Sequence, residues 1–233
     1  YVSVDSGRDL FTGRSLAGKY TLRSWVNDVK PPNVKILTKT LSSGRPTIVA
    51  KVSDAKSGVD PSSMQLVFGP STRRTTVKAA LYDPATGIAA FAIPREALPL
   101  EPGTQFMQLV VSDYQEAKNI NTESQSPFPN TRFAGLRAEA VPRPTVTWVT
   151  PEKGRCAAAR QKLLVVANDN VQISSVGFFD GRRQIGRVQK NVAGMYQMTW
   201  RTSRRTGPHV LTAVASDVRG REAQATQPIR VCK

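Results

Sequence analysis

Nucleophilic chemistry in this chain would have to run through His209, the only histidine in 233 residues. A Ser-His-Asp or Cys-His site needs that imidazole beside its nucleophile. His209 instead falls in an alternating run, Gly207-Pro-His-Val-Leu-Thr-Ala-Val-Ala-Ser-Asp217. It takes the position that Tyr20 and Gln105 take in two similar runs, which makes it a surface or half-buried strand residue. Glycosidic chemistry would need two facing carboxylates, and the 17 Asp and Glu residues are spread over turn signals without an obvious pair. No Gly-rich phosphate loop opens a helix. The expectation is a chain without catalysis of its own.

Binding chemistry has more to work with. Asp54, Asp60 and Asp113 stand at predicted strand ends, where the loops of one sandwich converge. Hard carboxylate oxygens suit calcium, although the Asp-x-Asp-x-Asp-Gly loop is absent and turn capping is the simpler role. Asp169 and Asp217 are the equivalents further along. Arg182, Arg183 and Arg187 share one predicted hairpin, and Arg201, Arg204 and Arg205 surround the next turn. If the hairpins adjoin, the six guanidinium groups form a patch for phosphate or carboxylate. No aromatics are interleaved to stack bases, and no helix is predicted to enter a groove, so sequence-specific nucleic acid is not the expected partner. Trp148 and Trp200 follow strand alternation and read as core, and Trp25 is left open.

The net charge is +16, from 33 basic and 17 acidic side chains. Residues 144–233 carry 15 of the basic and only 5 of the acidic ones. A surface of this sign attracts polyanions, such as an anionic cell-wall polymer. Of the 33 basic residues 21 are Arg, a bias that codon usage alone can produce. The two cysteines, Cys156 and Cys232, bracket that basic segment. They are too few for zinc with one histidine, and a disulfide between the first and last strands of one small domain is the reading. A disulfide implies an oxidising compartment. No run approaches the ~18 apolar residues of a membrane span. The first residue is Tyr1, so the chain is read as starting within a longer product, whose upstream part is its first partner.

The elements that must position these groups are short strands. Thr47–Val52, Met64–Phe68, Leu163–Ala167 and Met195–Trp200 are apolar or alternate with period two, and Gly, Pro, Asn and Asp punctuate them. That pattern predicts an all-β, antiparallel sandwich architecture. A Gly followed by an alternating run and an Asp ten residues on occurs three times, at Gly18–Asp28, Gly103–Asp113 and Gly207–Asp217. The only helical turn predicted is Pro94–Leu98.

Asn168-Asp169-Asn170-Val171, the Val176–Gly186 hairpin with its Asp180-Gly181 turn, and Tyr196–Trp200 followed by Gly207–Asp217 resemble a bacterial Ig-like domain. A looser unit of the same kind carries Ser53–Pro61. The resemblance spans residues 30–233 and implies two tandem Ig-like antiparallel β-sandwiches with a short N-terminal β extension. The expected boundaries are 30–143 and 144–233, with residues 1–29 either the tail of an upstream domain or extra strands. The resemblance also implies a non-catalytic module of a secreted or cell-surface bacterial protein, structural or adhesive, that meets other proteins. The alternative is an ancillary C-terminal region of an extracellular hydrolase such as a subtilisin-like protease.

Overall fold

The computed structural model describes residues 25, 28–69, 74–115, 130–202 and 206–232. Seventeen strands and one 3-10 turn make up the regular structure among them. The expected Pro94–Leu98 turn is only a loop closed by Ala97 N–H donating to Pro94 O. The helical turn lies at Pro61–Ser63 instead, where Asp60 caps the N-terminus and Pro61 supplies a pre-set φ.

The strands form four sheets. β1 (Asn33–Ile36), β3 (Thr47–Ser53), β7 (Ile88–Ala92) and β6 (Leu81–Asp83) lie side by side in that order. The second sheet runs β2 (Leu41–Ser42), β9 (Thr131–Val141), β8 (Gly103–Ser112), β4 (Gln65–Phe68) and β5 (Thr75–Lys78). The third is β10 (Thr145–Thr150), β12 (Arg160–Asn168) and β15 (Met195–Arg201). The fourth is β11 (Cys156–Ala157), β17 (Glu222–Val231), β16 (Gly207–Asp217), β13 (Ile173–Asp180) and β14 (Arg183–Val188).

This is one topology written twice. β2-β9-β8-β4-β5 corresponds strand for strand to β11-β17-β16-β13-β14, and β1-β3-β7 to β10-β12-β15. In both, a two-residue strand pairs parallel with the last strand, β2 with β9 and β11 with β17. All other strand pairings with a described register are antiparallel. The arrangement is the Ig sandwich, in which strands alternate inward apolar and outward polar residues. The repeat seen in the sequence marks the same strand in each copy: Gly103 and Gly207 open β8 and β16 at φ +114° and +128°. Gly18, which opens the first run, lies outside the described residues.

The core of the second copy draws on both of its sheets. Leu163 and Val165 of β12 and Tyr196 and Trp200 of β15 meet Val176 and Phe178 of β13 and Leu211, Ala213 and Ala215 of β16. The first copy buries Ile48, Ala50, Leu66, Phe68, Phe91, Leu109 and Val111. The Asp180-Gly181 hairpin closes with Asp180 opposite Arg183. Only Gly181 of its two central residues has positive φ, +57°, so the sign pattern is that of a II′ turn rather than I′.

By contacts the described residues divide into two compact units. One lies within residues 1–36, 49–92 and 105–138, the other within 37–48, 93–104 and 139–233. The second therefore takes in the segment 37–48. There Thr47 N–H donates to Asn168 Oδ1 and Asn168 Nδ2 donates back to Thr47 O, at 2.9 and 3.0 Å.

Candidate functional site

Three carboxylates meet at one end of the first copy. Asp54 follows β3, Asp113 follows β8 and Asp28 precedes β1. Their nearest oxygens all lie within 4.8 Å of one another. Asp28 is 1% exposed and Asp113 0%. Asp60 is not among them: its Oδ1 accepts from Ser62 N–H and Ser62 Oγ, capping the 3-10 turn. Asp28 takes the place given to Asp60 in the sequence reading. The signal was present, because Asp28 closes the first Gly-to-Asp run.

Backbone donors hold this cluster. Asp28 Oδ2 accepts from Ser57 N–H and Oγ, both at 2.9 Å, and its Oδ1 from Lys30 N–H. Asp54 Oδ1 accepts from the N–H groups of Lys56 and Gly58. Asp113 accepts from Gln115 N–H and Asn130 Nδ2. Burial, then the nearby Asp28 charge, pushes the Asp113 carboxyl up, and its hydrogen bonds only partly offset that. Burial would raise Asp28 as well, but its bonds to Ser57 and Lys30 outweigh it and the net shift is downward. Three hard oxygens suit calcium by chemistry. At least five of the six carboxylate oxygens, however, already accept hydrogen bonds from surrounding donors. What the cluster does within the chain is tie the entering segment down. Gln115 Oε1 accepts from Trp25 Nε1 and Asp28 N–H, and Asn130 Nδ2 also donates to Asp28 O.

The second copy puts a cation at the equivalent place. Asp169 follows β12 as Asp54 follows β3, and Asp217 ends β16 where Asp113 follows β8. Arg221 sits between them. Its Nε donates to Asp217 Oδ2 at 2.6 Å and its Nη2 to Asp169 Oδ2 at 3.0 Å. The same guanidinium reaches Asn170 Oδ1 and Pro142 O. Burial alone would raise Asp217, but Arg221 and the N–H groups of residues 219 and 221 overcome it and hold the carboxyl down to about 2. Asp169, whose side chain has no exposed surface, is raised, mainly by burial. Sequence spacing found both acids and missed Arg221, which lies on the far side of the Asp217 turn.

The predicted arginine patch is partly assembled. Arg182 and Arg183 form the β13–β14 turn, and Arg201 ends β15. Arg187 lies farther along β14 opposite Gly177, with its Nε donating to Ser175 Oγ at 2.9 Å. It is not part of the same rim. Arg204 and Arg205 lie outside the described residues. Arg160 and Arg230, which the sequence reading did not select, join that rim instead. Cys156 and Cys232 are bonded, with Cα atoms 5.5 Å apart. The bond ties the short strand β11, not the first strand β10, to the end of β17.

Residues 144–213 match the family model of the bacterial Ig domain. That segment, less than half of the chain, is similar to a bacterial Ig domain. No curated protein matches it. Among solved structures it is similar to the fibronectin(III)-like modules of CbhA from Clostridium thermocellum, at 16% identity and TM-score 0.35, covering 85% of this chain and 94% of that one. It is also similar to latent PorU from Porphyromonas gingivalis, at 15% identity and TM-score 0.43, covering 87% of this chain but only 20% of that one. A putative membrane-anchored protein from Corynebacterium diphtheriae gives 12% identity and TM-score 0.32, covering 86% and 52%. No functional residue is carried over from any of them.

The sandwich of the second copy also accounts for the histidine and the tryptophans. The His209 imidazole hydrogen-bonds the Asp180 carboxylate, at 2.9 Å, and Trp200 meets the ring edge-on at 5.7 Å. That is a half-buried strand residue packed in the wall of a sandwich, as its place in the repeat suggested. Trp200 is 5% exposed. Trp148 packs edge-on to Phe178 and donates its indole N–H to Ala225 O. No helix among the described residues is long and apolar enough to cross a membrane.

Proposed function

We propose that this chain is a non-catalytic Ig-like module of a secreted or cell-surface bacterial protein, and that it spaces or presents a binding site. The observation that carries the reading is the pairing of a bacterial Ig match over residues 144–213 with a disulfide closing the same domain. Thiols are kept reduced in the cytosol and oxidised outside it, so a structural disulfide belongs with an extracytoplasmic address. The non-catalytic part is supported by the state of the one histidine, which is held by Asp180 and packed against Trp200. A module whose polar groups are tied up in strand ends is suited to bearing load and orientation. Its hydrogen-bonded sheets and buried core resist deformation.

Labelling intact cells that produce the protein with a membrane-impermeant amine-reactive biotin tests this. The 12 lysines offer targets. The expected result is labelling before lysis, or recovery of the protein from the medium. Labelling only after lysis overturns the reading.

A further inference from the structure

The end of the second sandwich opposite its chain entry is ringed with arginine. β12 starts at Arg160 and β15 ends at Arg201, and the register sets the two directly opposite each other. Trp200 turns into the core, so Arg201 and its partner face outward, with Lys162 two residues along the same exposed face. In the other sheet the same end carries Arg230, opposite Pro208 on β16 and Cys156 on β11. Beside it lie Arg182 and Arg183, placed there by Gly181 N–H donating to Val210 O. All five arginines are exposed.

Like charges directly opposite on paired strands destabilise the pair. Neither Arg160 nor Arg201 has an ion-pair partner among the described residues. The two acids near the rim are engaged, Asp180 with His209 and Glu152 with Arg155. The acids of this sandwich that Arg221 neutralises, Asp169 and Asp217, are at its other end. The fold thus tolerates an uncompensated positive rim at one pole.

We propose that this rim binds a linear phosphodiester polymer of the cell wall. Arginine forks match phosphate oxygens bidentately. The two sheets of a sandwich lie about 10 Å apart, so a chain with a charge on every unit reaches arginines of both, while a small anion reaches one. Nucleic acid fits less well. The tryptophans of this sandwich are turned into its core, and among the described residues the exposed large apolar ones include no aromatic at the rim, which leaves bases nothing there to stack on. Assignment to the wall rests on the extracellular reading above, whereas binding to the polymer does not.

Retention of the full chain on immobilised poly(glycerol phosphate), from about 50 to about 200 mM salt, tests the proposal. Wild type is expected to bind at the low end and to weaken steeply as salt rises. Arg160→Gln with Arg201→Gln is expected to weaken binding about tenfold and to flatten the log–log salt slope by about one to two. Arg143→Gln with Arg219→Gln removes the same charge at the opposite end and is expected to bind like wild type. Both pairs are exposed, so circular dichroism should show folded protein. Absent retention, or equal loss in the two double variants, overturns the site. Binding to a dT24 oligonucleotide as tight as to the polymer overturns the choice of partner. A polymer-binding protein that biotin reaches only after lysis keeps the site and removes the wall.

Discussion

Arg221 does for the second sandwich what backbone donors do for the first. Asp169 and Asp217 have no exposed side-chain surface, and one guanidinium reaches both carboxylates. Removing it leaves two buried negative charges facing each other, which is among the more destabilising single changes available. Arg221→Gln should therefore lower the melting temperature clearly more than Arg219→Gln, whose side chain is exposed. The pH dependence follows from the sign of the Asp217 shift. Its carboxyl is lowered from 3.8 to about 2 in the folded chain. A depressed carboxylate contributes stability that is complete above the unfolded value and is lost as pH falls through the folded one. The wild type should thus lose this contribution between about pH 4 and pH 2. Arg221→Gln lacks this paired contribution, so its stability deficit against wild type should shrink as pH falls from about 4 to about 2, in denaturant unfolding followed by tryptophan fluorescence. A deficit that stays constant across that range would contradict the ion-pair account. The carboxylates were legible from the repeat, because Asp at a strand end is a local signal. Arg221 was not, and Asp28 was passed over although it closes a Gly-to-Asp run, because their roles depend on which loops meet in space. Asp60 went the other way: its spacing suggested a ligand, but Pro61-Ser62-Ser63 after it makes it a cap.

Each element carries its own tolerance. Phe178 sits inward on β13 with no exposed surface and meets Trp148 edge-on. Phe178→Ala removes most of a buried ring and should cost about 3–5 kcal/mol in denaturant unfolding; a loss below about 1 kcal/mol would contradict the core described here. Gly87 follows the β6 strand at φ +71°, where an added Cβ would stand 2.4 Å from the Val52 carbonyl oxygen. That oxygen belongs to backbone, so Gly87→Ala should destabilise through both the clash and the left-handed φ. Strand identities were the most readable part of the sequence. β8, β15 and β16 fall where alternation and Gly punctuation put them. The two-residue strands β2 and β11 were invisible, since no periodicity shows in two residues and only pairing with the last strand defines them.

At the scale of the whole molecule the duplication is the main fact. Two copies share one strand order and the same acidic strand ends, but they settle the resulting charge differently and only one is closed by a disulfide. In the chain-entropy model a loop of 76 residues contributes about 4 kcal/mol. The bond also gathers Arg230 and the β11 edge at the basic pole, so the staple and the proposed binding rim share one end of the sandwich. All-β architecture, its duplication and the cysteine pair could be read directly from spacing. The rim could not, because Arg160 and Arg201 are 41 positions apart and only the β12–β15 register brings them together.

The most direct measurement is the redox state of Cys156 and Cys232 in living cells. Cells that produce the protein are quenched in acid, their free thiols are alkylated, and the chain is analysed by mass spectrometry before and after reduction. The account predicts that neither cysteine is alkylated until a reductant is added. Two alkylated cysteines in the freshly quenched sample would contradict the oxidising address, and with it the secreted or surface module.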